Sequence, residues 1–368
     1  MLRSLPRIPE TVLGANPHAL HTEGVQARKV LEDARARIAQ TLYAHSDEIV
    51  FTSGATESNN LALLGVIYAG VESGIDPSSI TLITSDLEHA AVTEVARHIG
   101  GINTITIPST DGIVDPKHII IPEGCTLAVV SIMYVNNEIG TVQPIREIAK
   151  RVRYLRKQHP DTTIIVHTDA TQAPVHCSLN VAKLGVDMLT LGATKLYTHK
   201  GVGVLYKKRS IKLAPIMYGG GQEMGLRPGT ESVALVHTFA HALAYTQDMR
   251  EIETARVIEL KKYFEEKIQK EFPGLVITAA NAKRSPHISH VAIKNFDSEL
   301  LVIELDAKGI AVSAKSACKN EEDQESPIVE RLYGKGWGAI RVSFGRETKK
   351  RDLDKAVKAL QKVLNKYK

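Results

Sequence analysis

The chain has 368 residues, with 46 Lys and Arg against 41 Asp and Glu, a formal net charge of +5, and an apolar fraction of 43%. That is long enough for two or three domains and a large core. The basic excess is small and scattered, which argues against nucleic-acid binding, and no apolar run approaches membrane-spanning length. The three cysteines, Cys125, Cys177 and Cys318, show no C-x-x-C spacing. They argue against a disulfide framework or a zinc site and point to a reducing compartment, the cytoplasm. The opening M-L-R-S-L-P-R faintly resembles a transit peptide, but no long Ser/Arg-rich amphipathic stretch follows.

Val25 to Leu42 carries apolar residues at helical spacing (Val30, Leu31, Ala34, Ile38, Leu42), with Arg28, Glu32 and Arg35 turned away. Glu48–Phe51 reads as a strand, and T-S-G-A-T-E-S-N-N (Thr52–Asn60) leads into an apolar helix through Leu61–Val66. Strand, small-residue loop and helix together present backbone N–H groups and hydroxyls that suit a phosphate; ordinary capping looks the same, and for Thr56 alone capping is the simpler reading. Thr81–Thr84, Ile102–Ile107, Thr126–Met133 and Thr163–His167 are further strands. Leu87–Val92 opens a helix with His89 near its start, and Pro144 starts a helix running to about Gln158. Strands alternating with helices imply βαβ units and a mostly parallel sheet, which binds ligands at the carboxyl ends of its strands. Three polar loops follow strands: Tyr134–Gly140, Thr168–Gln172 and Gly192–Lys195.

Lys195 comes directly after the apolar run Met188–Leu191. A lysine held just past a buried strand can be desolvated, which lowers its pKa and frees the amine for Schiff-base chemistry, the usual attachment of pyridoxal phosphate (PLP). Taken by itself, Lys195 fits a solvated surface charge better. Lys200 is a rival, although its K-G-V-G context reads as a turn. Asp169, at a strand end, is placed to face a pyridine nitrogen or simply to cap. Next comes the glycine-rich loop Tyr218–Thr230, containing Arg227, with Thr230-Glu231 capping a helix that runs, with breaks, to about Phe272. Beyond Pro273-Gly274, short strands (Val276–Thr278, Ser289–Ile293, Ala311–Ser313, Ala339–Phe344) alternate with helices (Glu299–Lys308, Pro327–Tyr333, Arg351–Lys366). The expected organisation is a large domain at 14–245, a smaller α+β domain at 246–368, and residues 1–13 as a short arm.

F-T-S-G-A-T-E-S-N-N, E-H-x-A-V, S-I-M-Y-V-N-N-E-I-G, H-T-D-A-T-Q, K-x-Y-x-x-K-G-x-G-x-L-Y, Y-G-G-G-Q-E-x-G-x-R-P-G-T, S-A-C and I-R-V-S-F-G-R follow one another along the chain. Jointly and in this order they resemble the cysteine desulfurases, which are fold-type I, aminotransferase class V PLP enzymes. The resemblance runs from about Gly14 to the C-terminus. It implies an α/β large domain with a mostly parallel seven-stranded sheet and a smaller α+β C-terminal domain. It also implies roles for individual residues. Ala55 and Thr56 hold the cofactor phosphate. His89 lies over the ring as an acid/base, Asn137 contacts the cofactor oxygen and the substrate, and Asp169 pairs with the ring nitrogen. Gln172 touches the phenolic oxygen, and Lys195 is the Schiff-base lysine. Thr230 reaches the phosphate in the neighbouring subunit, which implies a homodimer, and Arg341 clamps the substrate carboxylate.

Cys318 sits in the polar stretch S-A-K-S-A-C-K-N, flanked by Lys315 and Lys319, whose charge favours the thiolate. Cys125 and Cys177 read as inert core residues. The resemblance implies that L-cysteine is converted to L-alanine, with the sulfur left as a persulfide on Cys318. An iron–sulfur scaffold or a tRNA-thiolation protein then accepts it. Three features depart from the family. Gly192-Ala193-Thr194 replaces Ser-Gly-His, so Thr194 keeps one hydroxyl toward the phosphate. The family's D-x-x-A-T-T-P strand has no counterpart, and the loop before Cys318 is more charged. A selenocysteine lyase-like enzyme of the same class and a degenerate scaffold remain the alternative readings.

Overall fold

The computed structural model describes residues 8–314 and 326–367. They form two compact units. The first holds the described residues through Ser109, together with Val114–Tyr134 and Gln143–Arg250. The second holds Thr110–Ile113, Val135–Val142 and the described part of Glu251–Lys368.

In the first unit, α1 (Glu10–Leu13) precedes α2 (Thr22–Leu42), β1 (Ile49–Thr52) and α3 (Ala55–Glu72). Then follow β2 (Ile80–Ser85), α4 (Ala90–His98) and β3 (Asn103–Ile107). Two-residue strands β4 (Ser109–Thr110) and β5 (Ile113–Val114) lead to β6 (Leu127–Ser131), α5 (Ile145–Gln158) and β7 (Thr163–Asp169). The unit closes with α6 (Val181–Leu184), β8 (Met188–Gly192), β9 (Gly203–Lys207) and α7 (Val233–Asp248). The seven-stranded sheet runs β1-β9-β8-β7-β6-β2-β3. Only β9 opposes its neighbours, so the other six strands point the same way. Strands β2, β6 and β8 are buried along their whole length, as apolar runs covered on both faces must be; edge strand β3 is largely exposed. Val50, Leu61, Leu63, Ile67, Leu82, Val129 and Met188 belong to the core on this sheet. Each such fully buried side chain contributes on the order of 1.5–3 kcal/mol. Helix α5 is one-sided: Ile145, Ile148, Ala149, Val152 and Leu155 are buried.

The second unit holds most of α8 (Arg250–Glu271), then β10 (Leu275–Ile277), β11 (Ile288–Lys294), α9 (Ser298–Asp306), α10 (Pro327–Tyr333), β12 (Trp337–Ser343) and α11 (Lys350–Lys366). Its sheet, β10-β11-β12, is antiparallel throughout. Val257, Phe264, Val291, Leu301, Ile340 and Leu360 form its core. The strand expected at Ala311–Ser313 reduces to a single bridge between Ser313 and Arg341. The helix expected from Thr230 to Phe272 is interrupted at Met249, where α7 ends and α8 begins. No helix among the described residues is long and apolar enough to cross a membrane.

Candidate active site

The carboxyl ends of β1, β2, β6, β7 and β8 face the same way, and the polar loops follow them. After β1 the chain turns at Gly54 directly into α3, so Ala55 and Thr56 are its first two residues. No side chain caps this helix. A side chain added at Gly54 would meet nothing within 4 Å, so the approach to these first N–H groups is open. A helix start of this kind is a ready anion site. Two other glycines let the sheet come up to it. A Cβ on Gly192, the last residue of β8, would lie 3.1 Å from the Ala55 Cβ; one on Gly203 would lie 2.5 Å from the Gly54 carbonyl carbon. Ala55 is thereby placed beside the turn that carries Thr194 and Lys195.

Asp169 ends β7 and is buried. Its Oδ2 accepts from Asn59 Nδ2 at 2.7 Å and its Oδ1 from the Thr171 N–H at 2.9 Å. Asn59 lies on α3 and is itself fully buried, so the helix that starts at Ala55 also fixes the carboxylate. Two residues earlier, buried His167 shares hydrogen bonds with Ser131 Oγ at 2.8 Å and Thr190 Oγ1 at 3.1 Å. Burial pushes its pKa down to about 4, so the imidazole is neutral at physiological pH.

His89 is the N-cap of α4, where its Nδ1 accepts from the Ala91 N–H at 3.1 Å. A neutral ring therefore carries its proton on Nε2. The preceding residue holds this turn against the sheet. Glu88 accepts from Ser85 Oγ at 2.6 Å and from the Met133 N–H at 3.0 Å. Burial, reinforced by Asp169 and Asp86, pushes its carboxyl up to about 8.

Lys195 and Thr194 lie in the short turn Ala193–Lys195 and are both exposed. The exposure of Lys195 is the solvated state that its residue type alone favours, and the buried strand before it does not desolvate it. Thr56 and Thr230 are exposed as well, and Gln172 is half-buried. Thr230 borders a cavity with Phe51, Thr52, Gly201 and Arg227. The capping expected of Thr230-Glu231 is absent: α7 starts at Val233 behind Ser232 without a side-chain cap. Glu231 instead turns inward and meets His18 Nε2 at 3.0 Å.

In the second unit, Arg341 on β12 donates from Nη1 to the Asn137 carbonyl at 2.6 Å and from Nη2 to Ser313 Oγ at 3.0 Å. Its buried Nε has no partner among the described residues. Burial lowers the Arg341 pKa from its ordinary value, and Glu138 opposes that shift. The group is part-buried and held, not a surface charge. Asn137 is half-buried in a turn where Asn136 Oδ1 accepts from the Glu138 and Ile139 N–H groups. Cys318 lies outside the described residues. Cys125 is buried, as expected of a core residue, and Cys177 is half-buried.

The family model for Aminotransferase class-V matches residues 10–356. A curated relative, "Cysteine desulfurase IscS" of Dictyoglomus turgidum, is 35% identical over 95% of this chain and 88% of its own length. The chain belongs to the aminotransferase class-V family, in its cysteine desulfurase branch. Among solved structures, a NifS-like protein superposes with a TM-score of 0.84 at 28% identity, covering 98% of this chain and 97% of its own. "SspA in complex with cysteine" gives 0.73 at 28% identity, covering 93% and 96%.

Class-V membership implies PLP, and the residues present fit it. The uncapped start of α3 offers donors for a phosphate, and Asp169 offers a carboxylate already fixed by two donors. The motifs of this class-V chain did not disclose Asn59, Glu88 or Glu223 as supporting residues. Each nevertheless stands in a quoted motif: Asn59 in S-N-N, Glu88 in E-H and Glu223 in G-G-G-Q-E. Glu223, in the glycine-rich loop, is buried and accepts from Arg35 Nη1 and Nη2 at 2.9 and 2.7 Å and from the Phe51 N–H at 2.7 Å.

Proposed function

We propose that this protein is a PLP-dependent cysteine desulfurase, converting L-cysteine to L-alanine and handing the sulfur on from Cys318. The observation that carries this is the placement of Lys195 in the turn after β8, beside the uncapped start of α3 that also fixes Asp169. The cysteine desulfurases among its relatives support the same reading.

When bound, PLP would supply an electron sink for the charge left as a proton leaves the substrate α-carbon. Ala55, Thr56 and Thr194 would receive the phosphate, and Thr230 the phosphate in the partner subunit of a homodimer. Asp169 would hold the ring nitrogen protonated, Gln172 and Asn137 would contact the phenolic oxygen, and His89 would lie over the ring with its Nε2 proton available. Lys195 would hold the cofactor, then take up the α-proton on Nζ once released. Arg341 would bind the substrate carboxylate, for which a planar guanidinium is suited. The Cys318 thiolate would attack the substrate sulfur: the S–S bond forms as the C–S bond breaks, and its electron pair stays with carbon, which takes up a proton and leaves as alanine. The persulfide would pass to an iron–sulfur scaffold or a tRNA-thiolation protein in the cytoplasm.

The test is to supply purified protein with PLP and L-cysteine and to quantify alanine and protein-bound persulfide, in wild type and Cys318→Ala. The reading expects alanine with persulfide in wild type and no persulfide in the variant. Persulfide undiminished in Cys318→Ala, or no alanine from wild type, would overturn it.

A further inference from the structure

Arg227 has no part in the scheme above, yet it is held against the start of α3. Its Nε donates to Glu57 Oε1 at 3.0 Å, and Glu57 Oε2 accepts from the Ser53 N–H at 2.7 Å. Glu57 is the third residue of α3, directly after Ala55 and Thr56, and its side chain is only 12% exposed. A carboxylate in a first helical turn is favourable for the helix itself. Beside N–H groups that are to receive a phosphate it is a like charge in the wrong place. Left alone, Glu57 would compete with the phosphate for the same positive helix end.

The loop that presents Arg227 is built to hold it there. Glu223, Met224 and Gly225 are all left-handed, with φ of 47°, 61° and 80°. Two of these are not glycine, a strained arrangement that persists only where the surroundings enforce it. The enforcing contact is the buried Glu223–Arg35 pair, whose Arg35 guanidinium also donates to the Ile49 carbonyl at 2.8 Å and lies 4.5 Å from the Phe51 ring centroid. On the other side of Arg227, the Gly229 N–H donates to Gln222 Oε1 at 3.1 Å.

We infer that Arg227 is a positioning residue which neutralises Glu57 and so keeps the start of α3 receptive to a dianionic phosphate. The inference rests on the proposal that α3 binds the PLP phosphate, and it adds a charge relay from the glycine-rich loop to that cradle. It separates from that reading because it predicts a phosphate-specific effect.

The experiment measures dissociation constants of PLP and of pyridoxal, which lacks the phosphate, for wild type, Arg227→Met, Arg227→Lys, Glu57→Gln and the double variant Arg227→Met/Glu57→Gln. Arg227→Met should weaken PLP about tenfold, the scale of one like charge at a partly exposed helix start, and leave pyridoxal unchanged. Arg227→Lys should retain most of the affinity, and Glu57→Gln should bind PLP as well as wild type or better. The double variant should recover to within about threefold of wild type, which a purely structural role for Arg227 would not allow. Equal losses for PLP and pyridoxal, or a double variant as weak as Arg227→Met, would overturn the inference. If Arg227→Met does not fold, the Lys and Gln variants decide by the same comparison. A wild type that binds no PLP would sink the phosphate reading and this inference together.

Discussion

The two sheets offer their polar side chains in different ways. In the seven-stranded sheet six strands run parallel, so Thr52, Ser85, Ser131, Asp169 and Gly192 all end strands on one edge. Every loop leaving that edge can contribute to one site. The three-stranded sheet is antiparallel, so successive strand ends point opposite ways and no edge gathers loops. Its candidate residue, Arg341, comes from within a strand and is fixed by the Asn137 carbonyl and Ser313. A parallel sheet thus gathers candidate residues at its strand ends, whereas the antiparallel one holds a single candidate side chain within a strand.

The comparison breaks most visibly if the loops of the parallel edge do not depend on buried charge. Arg35→Met should leave the Glu223 carboxylate buried and unpaired, costing about 3–5 kcal/mol in a denaturant titration. A loss below about 1 kcal/mol would mean that the pair does not hold the glycine-rich loop. Asn59→Leu removes one of the two donors on Asp169 from a fully buried position. It should cost about 1–3 kcal/mol in the same assay and weaken PLP, whereas an unchanged midpoint would deny the tie between α3 and β7.

A pH series sharpens the contrast between the units. The Glu88 carboxyl is raised from 4.5 to about 8. Between those values the folded chain keeps a proton that the unfolded chain has released, so stability falls as pH rises toward 8. Buried His167 and His290, lowered from 6.5 to about 4 and about 3, act in the opposite sense below their ordinary value, which leaves the window from 6.5 to 8 to Glu88. Across it wild type should lose on the order of 1–2 kcal/mol, and Glu88→Gln should show a flatter profile. At higher pH lysines lowered by burial act oppositely, Lys207 in the first unit and Lys261 in the second. Lys261 is lowered by burial from 10.5 to about 8, so its folded form is the neutral one and stability rises from pH 8 toward 10.5. The smallest effect expected is for Arg341→Lys: about a tenfold rise in KM for L-cysteine with PLP affinity unchanged, because the ammonium loses the planar fork. Loss of PLP binding in that variant would place Arg341 with the cofactor instead.

The parallel edge was the more legible of the two. Unbroken apolar runs marked β6, β7 and β8 and so located the strand ends that Asp169 occupies and Lys195 follows, while their roles came from the motifs taken together. Partnerships spanning long stretches of chain were not legible. Asn59 and Asp169 are 110 residues apart, and His18 and Glu231 are 213 apart. That second pairing is why Thr230-Glu231 looked like a cap: a Thr-Glu before a helix is good capping chemistry until a distant histidine claims the carboxylate. The exposure of Lys195 agrees with what its residue type alone favours, a solvated charge. Burial of the strand says nothing about a turn that projects past it. Ser313 was likewise credited with a strand because short β-prone runs carry no information about whether a neighbour lies within reach.

The most direct test of the account is a PLP titration followed by visible absorbance, in wild type, Lys195→Ala and Asp169→Asn. Wild type should develop a saturable band of a lysine-linked cofactor, Lys195→Ala should bind PLP without that band, and Asp169→Asn should bind more weakly. A wild type with no saturable band, or a band that survives in Lys195→Ala, would contradict the assignment of the parallel edge as the site.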